Sequence, residues 1–216
     1  MHDVIPPQQE TSSLSLRERQ KWVAQSSIEE TALRLFLQQG YEHTSIQDIA
    51  DAVKMSPRTF FRYFASKDEA LLGPMRAAQQ EALIALQRMA PTLTPHAALR
   101  AMLMLLARRY EEQRDKFVLR YQVVMQSPSI AALFLFTFVE AEPVISQALY
   151  THLEAATDRN KIRFLVALHM AALRVAIEQW LESGDNPEDN HEEREDLIAL
   201  LSQNLDQLSS LSLRQK

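Results

Sequence analysis

The chain has 216 residues, 46% apolar and 24% charged, with no cysteine and a formal net charge of −5. This balance suits an ordinary soluble globular protein with a substantial core. It excludes wholesale disorder, disulfide scaffolds, cysteine nucleophiles and thiolate metal sites. A negative net charge gives no general attraction to nucleic acid or anionic lipid, so any DNA contact must come from a local patch.

Only three glycines occur, Gly40, Gly73 and Gly184. Sheets and phosphate-cradling loops need many tight turns, so the chain is expected to be all-helical. Met1 to Glu10 holds no Lys or Arg and lacks the basic start of a signal peptide. No stretch approaches the roughly 20 consecutive apolar residues of a bilayer span. A cytoplasmic protein without membrane contact is the expectation.

Residues 1–16, with Pro6 and Pro7 among Gln, Ser and Thr, read as a disordered lead-in. From Leu16 to Gln39 the pattern is helical, and Gly40 reads as a left-handed cap. Ser45 and Asp48 have capping-box spacing at the start of a short helix that buries Ile46, Ile49, Ala50 and Val53. Lys54-Met55 makes a turn, Ser56 caps, and Pro57 suits the first position of a third helix, Arg58 to Phe64. A fourth helix runs from Lys67 to about Met89, with Gly73-Pro74 expected to bend it or delay its start. After the linker Ala90–Pro95 come helices over His96–Gln113, Asp115–Gln126, Pro128–Ala156 (bent at Pro143), Asp158–Ser183 and Glu193–Leu208. The domain boundary falls near residue 70: a module of short helices over 17–70, and a C-terminal helical domain over 71–216 joined to it by the shared fourth helix.

Two short helices joined by a tight turn behind a longer one make a helix-turn-helix. Phe60 and Phe64, four residues apart, should point inward and turn Pro57, Arg58, Phe61 and Arg62 outward. Each arginine can offer a planar fork to guanine O6 and N7, and Phe61 can touch a thymine methyl. Thr44, Ser45, Thr59, Tyr63 and Lys67 surround that face with hydroxyls and an ammonium suited to phosphate oxygens. Arg17, Arg19 and Lys21 form either a phosphate-reaching tail or a solvated one. Residues 17–76 hold nine Lys or Arg against eight Asp or Glu, a weak bias only.

At this point residues 28–72, through IEETALRLFLQQGYEHTSIQDIADAV and KMSPRTFFRYFASKDEAL, resemble the DNA-binding module of TetR-type (tetracycline-repressor-like) transcriptional regulators. The stretch Arg-Thr-Phe-Phe-Arg-Tyr-Phe is similar to the mycofactocin-type branch. The resemblance implies a dimeric all-helical repressor of about nine helices whose second module binds a small effector. Carried over by position, Ser45 and Thr59 match phosphate contacts. Pro57, Arg58, Phe61 and Arg62 match groove-facing positions, and Tyr63 and Lys67 match further backbone contacts. Gly73-Pro74 departs from the usually unbroken connecting helix.

Effector-pocket candidates are Tyr110, Phe117, Tyr121, Met125, Phe134, Phe138, His169, Met170 and Trp180, each with plain core packing as the alternative. Arg120 and Arg174 suit an acidic ligand head or a salt bridge, and Thr137 and Gln122 are equally open. His169 reads as a hydrogen-bonded core histidine. His191 with Glu192 and Glu193 reads as a solvated acidic loop rather than metal ligands, and no metal or cofactor is expected. The helix Asp158–Ser183 is apolar on more than one face, and the last helix carries a leucine stripe. Together they form a candidate dimer interface, although the stripe could instead close the monomer core.

The expected protein is therefore not an enzyme. It is a homodimeric repressor on a palindromic duplex operator, released by a largely apolar small molecule. A helical-bundle enzyme, and a DNA-binding regulator governed by a protein partner, remain the alternatives.

Overall fold

The computed structural model describes residues 15–153, 158–183 and 196–213, and these form nine helices and no strand. The lead-in up to residue 14, and the acidic segment with His191, Glu192 and Glu193, lie outside the described residues. The helices are α1 (Leu16–Gln39), α2 (Ile46–Ala52), α3 (Pro57–Phe60), α4 (Lys67–Met89), α5 (Pro95–Glu112), α6 (Arg114–Gln126), α7 (Pro128–Tyr150), α8 (Arg159–Glu182) and α9 (Leu197–Leu213). The all-helical expectation is met.

Two compact units interleave along the chain. The first holds residues 1–78 and 113–135, and the second holds 79–112 and 136–216. This division differs from a single cut near residue 70, because α6 and the start of α7 join the N-terminal helices. The physical reason is a polar cluster described below.

In the first unit α1 starts on a complete capping box. Ser15 Oγ accepts from Glu18 N, and Ser15 N donates to Glu18 Oε2 at 2.8 Å. Only its C-terminal half buries a face, through Ile28, Ala32, Leu33 and Phe36. Gly40 ends it with φ 87° and ψ 149°. The positive φ demands glycine, but the extended ψ is not the left-handed cap expected. The chain swings out and returns Tyr41 under Phe36, with ring centroids 5.0 Å apart. Helix α2 closes in a Schellman arrangement. Met55 N donates to Ala50 O and Lys54 N to Asp51 O, with Lys54 itself at φ 56°.

The third helix is shorter than the expected Arg58–Phe64. Ser56 caps it, Pro57 opens it, and regular helix ends at Phe60. Residues 61–64 continue as tight turns, with Arg62 N bonding Thr59 O and Tyr63 N bonding Phe60 O. Phe64 N still bonds Phe60 O at 3.1 Å, which keeps the two phenylalanines on one side. Helix α4 runs without interruption through Gly73 and Pro74. Proline has no N–H, so the Ala70 carbonyl goes without its usual helical donor there.

In the second unit α5, α8 and α9 pack together around Leu99, Leu103, Leu106, Val166, Leu173, Trp180, Leu197, Leu201 and Leu205, all nearly sealed from solvent. Glu111 Oε1 accepts from Leu197 N at 2.6 Å and caps α9. Arg100 reaches Asp206 at 2.8 Å and Ser202 at 2.7 Å. The leucine stripe of α9 thus closes the subunit's own core. Helices α7 and α8 have the length and apolar content of a bilayer span, which counting unbroken apolar runs did not reveal. For α8 the cause is burial against α5 and α9.

His169 is buried, and its Nδ1 lies 2.8 Å from Leu165 O. A carbonyl only accepts, so Nδ1 carries the proton and Nε2 accepts from His96 Nδ1 at 3.1 Å. Burial, with His96 and Arg100 nearby, holds His169 below its ordinary value of 6.5. The folded state therefore resists a proton that the unfolded chain takes up. Stability should fall as pH drops below about 6.5 and level off once the folded-state histidine also titrates. His169→Gln should flatten this dependence between pH 7.5 and 5.5, read by thermal denaturation. An equal slope in both proteins would show that other groups carry it.

Candidate nucleic-acid interface

The outer face of the helix-turn-helix begins with which side chains it withholds. Phe60 is fully buried and Phe64 is 8% exposed, their ring centroids 5.8 Å apart. Phe61 is 54% exposed and sets its edge against Phe60, and Arg58 and Arg62 are exposed beside it. Pro57, Thr59 and Tyr63 are half-buried. Neither arginine meets an acidic partner among the described residues. The segment thus presents two guanidinium groups and one phenyl ring on one side.

The flank is built from caps. Ser45 Oγ donates to Asp48 Oδ2 at 2.6 Å and accepts from Asp48 N at 3.1 Å. These bonds hold the Asp48 carboxyl below its ordinary range. Ser45→Ala should cost about 1 kcal/mol of stability in chemical denaturation, since the exposed cap is lost without a cavity. Ser56 Oγ and Thr59 Oγ1 share a hydrogen bond at 3.0 Å.

Two of the expected phosphate-facing groups are engaged inside the fold. Thr44 is 1% exposed, and its hydroxyl donates to Gly40 O at 2.8 Å and accepts from Gln39 Nε2 at 3.2 Å. It stands behind the face and closes the α1–α2 corner, a correction to its expected outward placement. Lys67 donates to Tyr41 O at 2.8 Å and Thr44 O at 3.1 Å, with its ammonium 4.1 Å from the Tyr41 ring centroid. Burial pulls this lysine down and the Glu42 carboxylate pushes back. Lys67 holds the loop that carries Ser45, with its remaining donor available for a phosphate. Tyr41 is anchored in turn by donating to Asp68.

Residues 28–72 match the model described as bacterial regulatory proteins, tetR family, and residues 93–211, more than half the chain, match the MftR C-terminal domain. The chain belongs to the TetR family. This TetR-family transcriptional regulator is 31% identical over 177 residues to the HTH-type transcriptional regulator TcmR of Streptomyces glaucescens, covering 79% of this chain and 78% of that one. Among solved structures, a transcriptional regulator from Aquifex aeolicus VF5 superposes with a TM-score of 0.52 at 20% identity, covering 87% and 98% of the two chains. A TetR-like regulator from Rhodococcus sp. RHA1 gives 0.52 at 17% identity, covering 90% and 97%. These two likenesses show the fold. The mycofactocin-type resemblance agrees with the MftR C-terminal match.

In this TetR-family regulator the nine pocket candidates do not gather in one unit. Phe117, Tyr121, Met125 and Phe134 belong to the first, and Tyr110, Phe138, His169, Met170 and Trp180 to the second. Seven of them are buried, and Tyr121 is half-buried with its ring edge-on to Phe134 at 6.2 Å. Met125 is 65% exposed and faces solvent, because Val123 and Val124 take the buried side of α6. Thr137 is half-buried and Gln122 exposed. Surface grooves of about 390 Å³ beside Gln87, Val144 and Gln147, and of about 630 Å³ beside Ala199, Gln203 and Asp206, include none of the nine.

The two arginines left open between ligand and salt bridge are both paired. Arg174 bonds Glu178 at 2.6 Å on the surface. Arg120 is buried against Glu29, and its Nε donates to Leu71 O at 3.1 Å. Lys116 Nζ adds Glu30 at 3.1 Å and Ser26 Oγ at 2.8 Å. Near the α6–α7 corner, Ser127 and Ser129 each donate to Glu42 Oε1 at 2.6 Å, which lowers that carboxyl. Glu29 and Glu42 are partners that the residue pattern did not announce. The one available signal was an acid, Glu29, inside the buried stripe of α1.

Proposed function

We propose that this regulator is a repressor that binds a palindromic duplex as a homodimer and leaves it when a small molecule binds. The outward side of α3 and of the turn that follows it carries the reading: Arg58, Phe61 and Arg62 are exposed because Phe60 and Phe64 are buried beneath them. In this reading Pro57, Arg58, Phe61 and Arg62 enter a major groove, and Ser45, Thr59, Tyr63 and Lys67 contact phosphates. Thr44 supports the corner from behind. Arg17 and Arg19, exposed on the first turns of α1 with Lys21 beyond them, extend the same role toward the backbone.

One such module makes few phosphate contacts, so two copies are needed for useful affinity. Pairing through the last two helices, α8 and α9, would set the two α3 segments roughly 34–36 Å apart or somewhat more. Residues beyond about 70 would form the effector-binding and dimerisation part, where the apolar character of the interior favours a largely apolar ligand. A ligand shifts the balance only by its differential affinity for the two subunit shapes.

Selection from a random duplex pool tests the first half of this reading. It should return a two-fold symmetric sequence with half-sites about one helical turn apart. Recovery of no sequence, or of an asymmetric one, would overturn it. A library of apolar metabolites, read by thermal shift and by release of the selected duplex, tests the second. A ligand that stabilises the protein and leaves operator binding unchanged would overturn release.

A further inference from the structure

We propose that Ser127 and Ser129 hold the Glu42 carboxylate off Lys67, and that this restraint keeps the third donor of Lys67 open for a DNA phosphate. Glu42 is then a positioning residue for duplex binding, and the α6–α7 corner governs a contact it does not itself make. This rests on the Lys67 phosphate contact proposed above and specifies what controls it.

Lys67 has one donor left for two anions. A lysine ammonium carries three N–H groups. One goes to Tyr41 O at 2.8 Å and one to Thr44 O at 3.1 Å. The third can meet a phosphate of the duplex, or it can meet Glu42. That acid lies inside the loop from Tyr41 to Thr44 that the ammonium braces, because the Tyr41 carbonyl and the Glu42 N–H share one peptide unit. Glu42 is exposed, so its side chain has room to turn. Burial pulls the Lys67 ammonium down and the Glu42 charge pushes it back up, so the two groups already sense each other.

The α6–α7 corner draws the carboxylate elsewhere. Ser127 Oγ and Ser129 Oγ both donate to Glu42 Oε1, each at 2.6 Å. Hydrogen bonds to an ionised oxygen are roughly twice as strong as neutral ones. The bonds from Ser127 and Ser129 lower the Glu42 carboxyl ahead of any influence of Lys67. Ser127 is also a fixed anchor. It is 2% exposed, its N–H closes α6 on Val124 O at 3.3 Å, and its hydroxyl accepts from Ile130 N at 3.5 Å in the first turn of α7.

Two hydroxyls suit this place better than a cation would. Glu42 stands three residues before Ser45, at the edge of the surface proposed to meet phosphates. A bare carboxylate there would repel the duplex. Pairing it with Lys67 would quiet that charge but would use the cation that the duplex needs. Serine dipoles quiet it and leave Lys67 alone.

A plain fastening of α7 to the loop would use the same two bonds, and charge separates the two roles. E42Q keeps a carbonyl oxygen for the serines and has no charge with which to capture Lys67. Fluorescence anisotropy of the full chain on the selected duplex and on a scrambled one, from about 50 to 200 mM salt, reads the difference. S127A/S129A should weaken binding to both duplexes alike, about two- to fivefold for each subunit, the range of one exposed ion pair. The slope of log affinity against log salt should become shallower by roughly 0.9 for each subunit, the value of one lost phosphate contact. S127A/S129A/E42Q should recover affinity and slope together, and E42Q alone should bind no less tightly than the parent. If loss of the buried Ser127 hydroxyl unfolds the protein, S129A leaves the α7 cap intact and should move the same way, again cancelled by E42Q. A serine variant that folds and binds like the parent, or whose loss survives E42Q, overturns the restraint and leaves the Lys67 contact standing. A K67A variant with the affinity and salt slope of the parent removes that contact and this inference with it.

Discussion

Arg120→Met should lower the free energy of unfolding by about 3–5 kcal/mol, the largest effect expected of a single polar side chain here. Arg120 and Glu29 are 2% and 3% exposed, and they join α6 to α1. The same guanidinium bonds the Leu71 carbonyl of α4 at 3.1 Å. Burial pulls the guanidinium down to about 10, which leaves it charged at neutral pH. Removing it strands the Glu29 carboxylate with only Lys116, 3.9 Å away. A carboxylate desolvated without a close partner costs far more than the original pair contributed. The double variant Glu29→Leu/Arg120→Met should therefore recover most of the loss, since an apolar pair of similar volume needs no solvation. Urea denaturation of the three proteins measures both. A single variant within 1 kcal/mol of the parent would mean that water or another group reaches Glu29.

Arg58→Ala and Arg62→Ala should each weaken binding to the selected operator by about 1–3 kcal/mol, or roughly five- to 150-fold. Both side chains are exposed on the face opposite Phe60, so their loss leaves no cavity and no unpaired charge. Thermal stability and dimerisation should stay as in the parent. The loss should concentrate on the cognate sequence, because a bidentate base contact discriminates and a phosphate contact does not. Fluorescence anisotropy on cognate and scrambled duplexes separates the two. An equal loss on both would reassign the arginine to the backbone, and no loss on either would remove it from the interface.

Much of the DNA-binding module was legible in the residues. Ser45-x-x-Asp48 and Ser56-Pro57 announce helix starts through local hydrogen bonds and a locked φ, which depend on a few neighbouring atoms only. The inward placement of Phe60 and Phe64 follows from their spacing. The length of α3 did not follow, because three-residue closures at Arg62 and Tyr63 leave no mark on the apolar pattern. Thr44 and Ser45 are adjacent hydroxyls of similar chemistry. Thr44 lies inside because its hydroxyl closes on Gly40 O, and Ser45 lies on the surface because its hydroxyl caps α2 through Asp48.

The C-terminal part was read less well, for a related reason. A stripe of leucines marks a buried face without naming what buries it. In α9 the neighbours are α5 and α8 of the same subunit, and the large apolar side chains left outward lie on α7 (Leu135, Phe136, Val139 and Val144) and α8 (Phe164 and Val175) instead.

Local information in the amino-acid order was sufficient for the helices, their caps, the inward phenylalanines and the family. Tertiary structure alone decided that α6 joins the N-terminal unit, that Arg120 meets Glu29, and that Ser127 and Ser129 converge on Glu42. The reason is distance along the chain. These partners lie some 85 to 91 positions apart, where helical periodicity carries no information, and only the packed helices bring their charges within reach of one another.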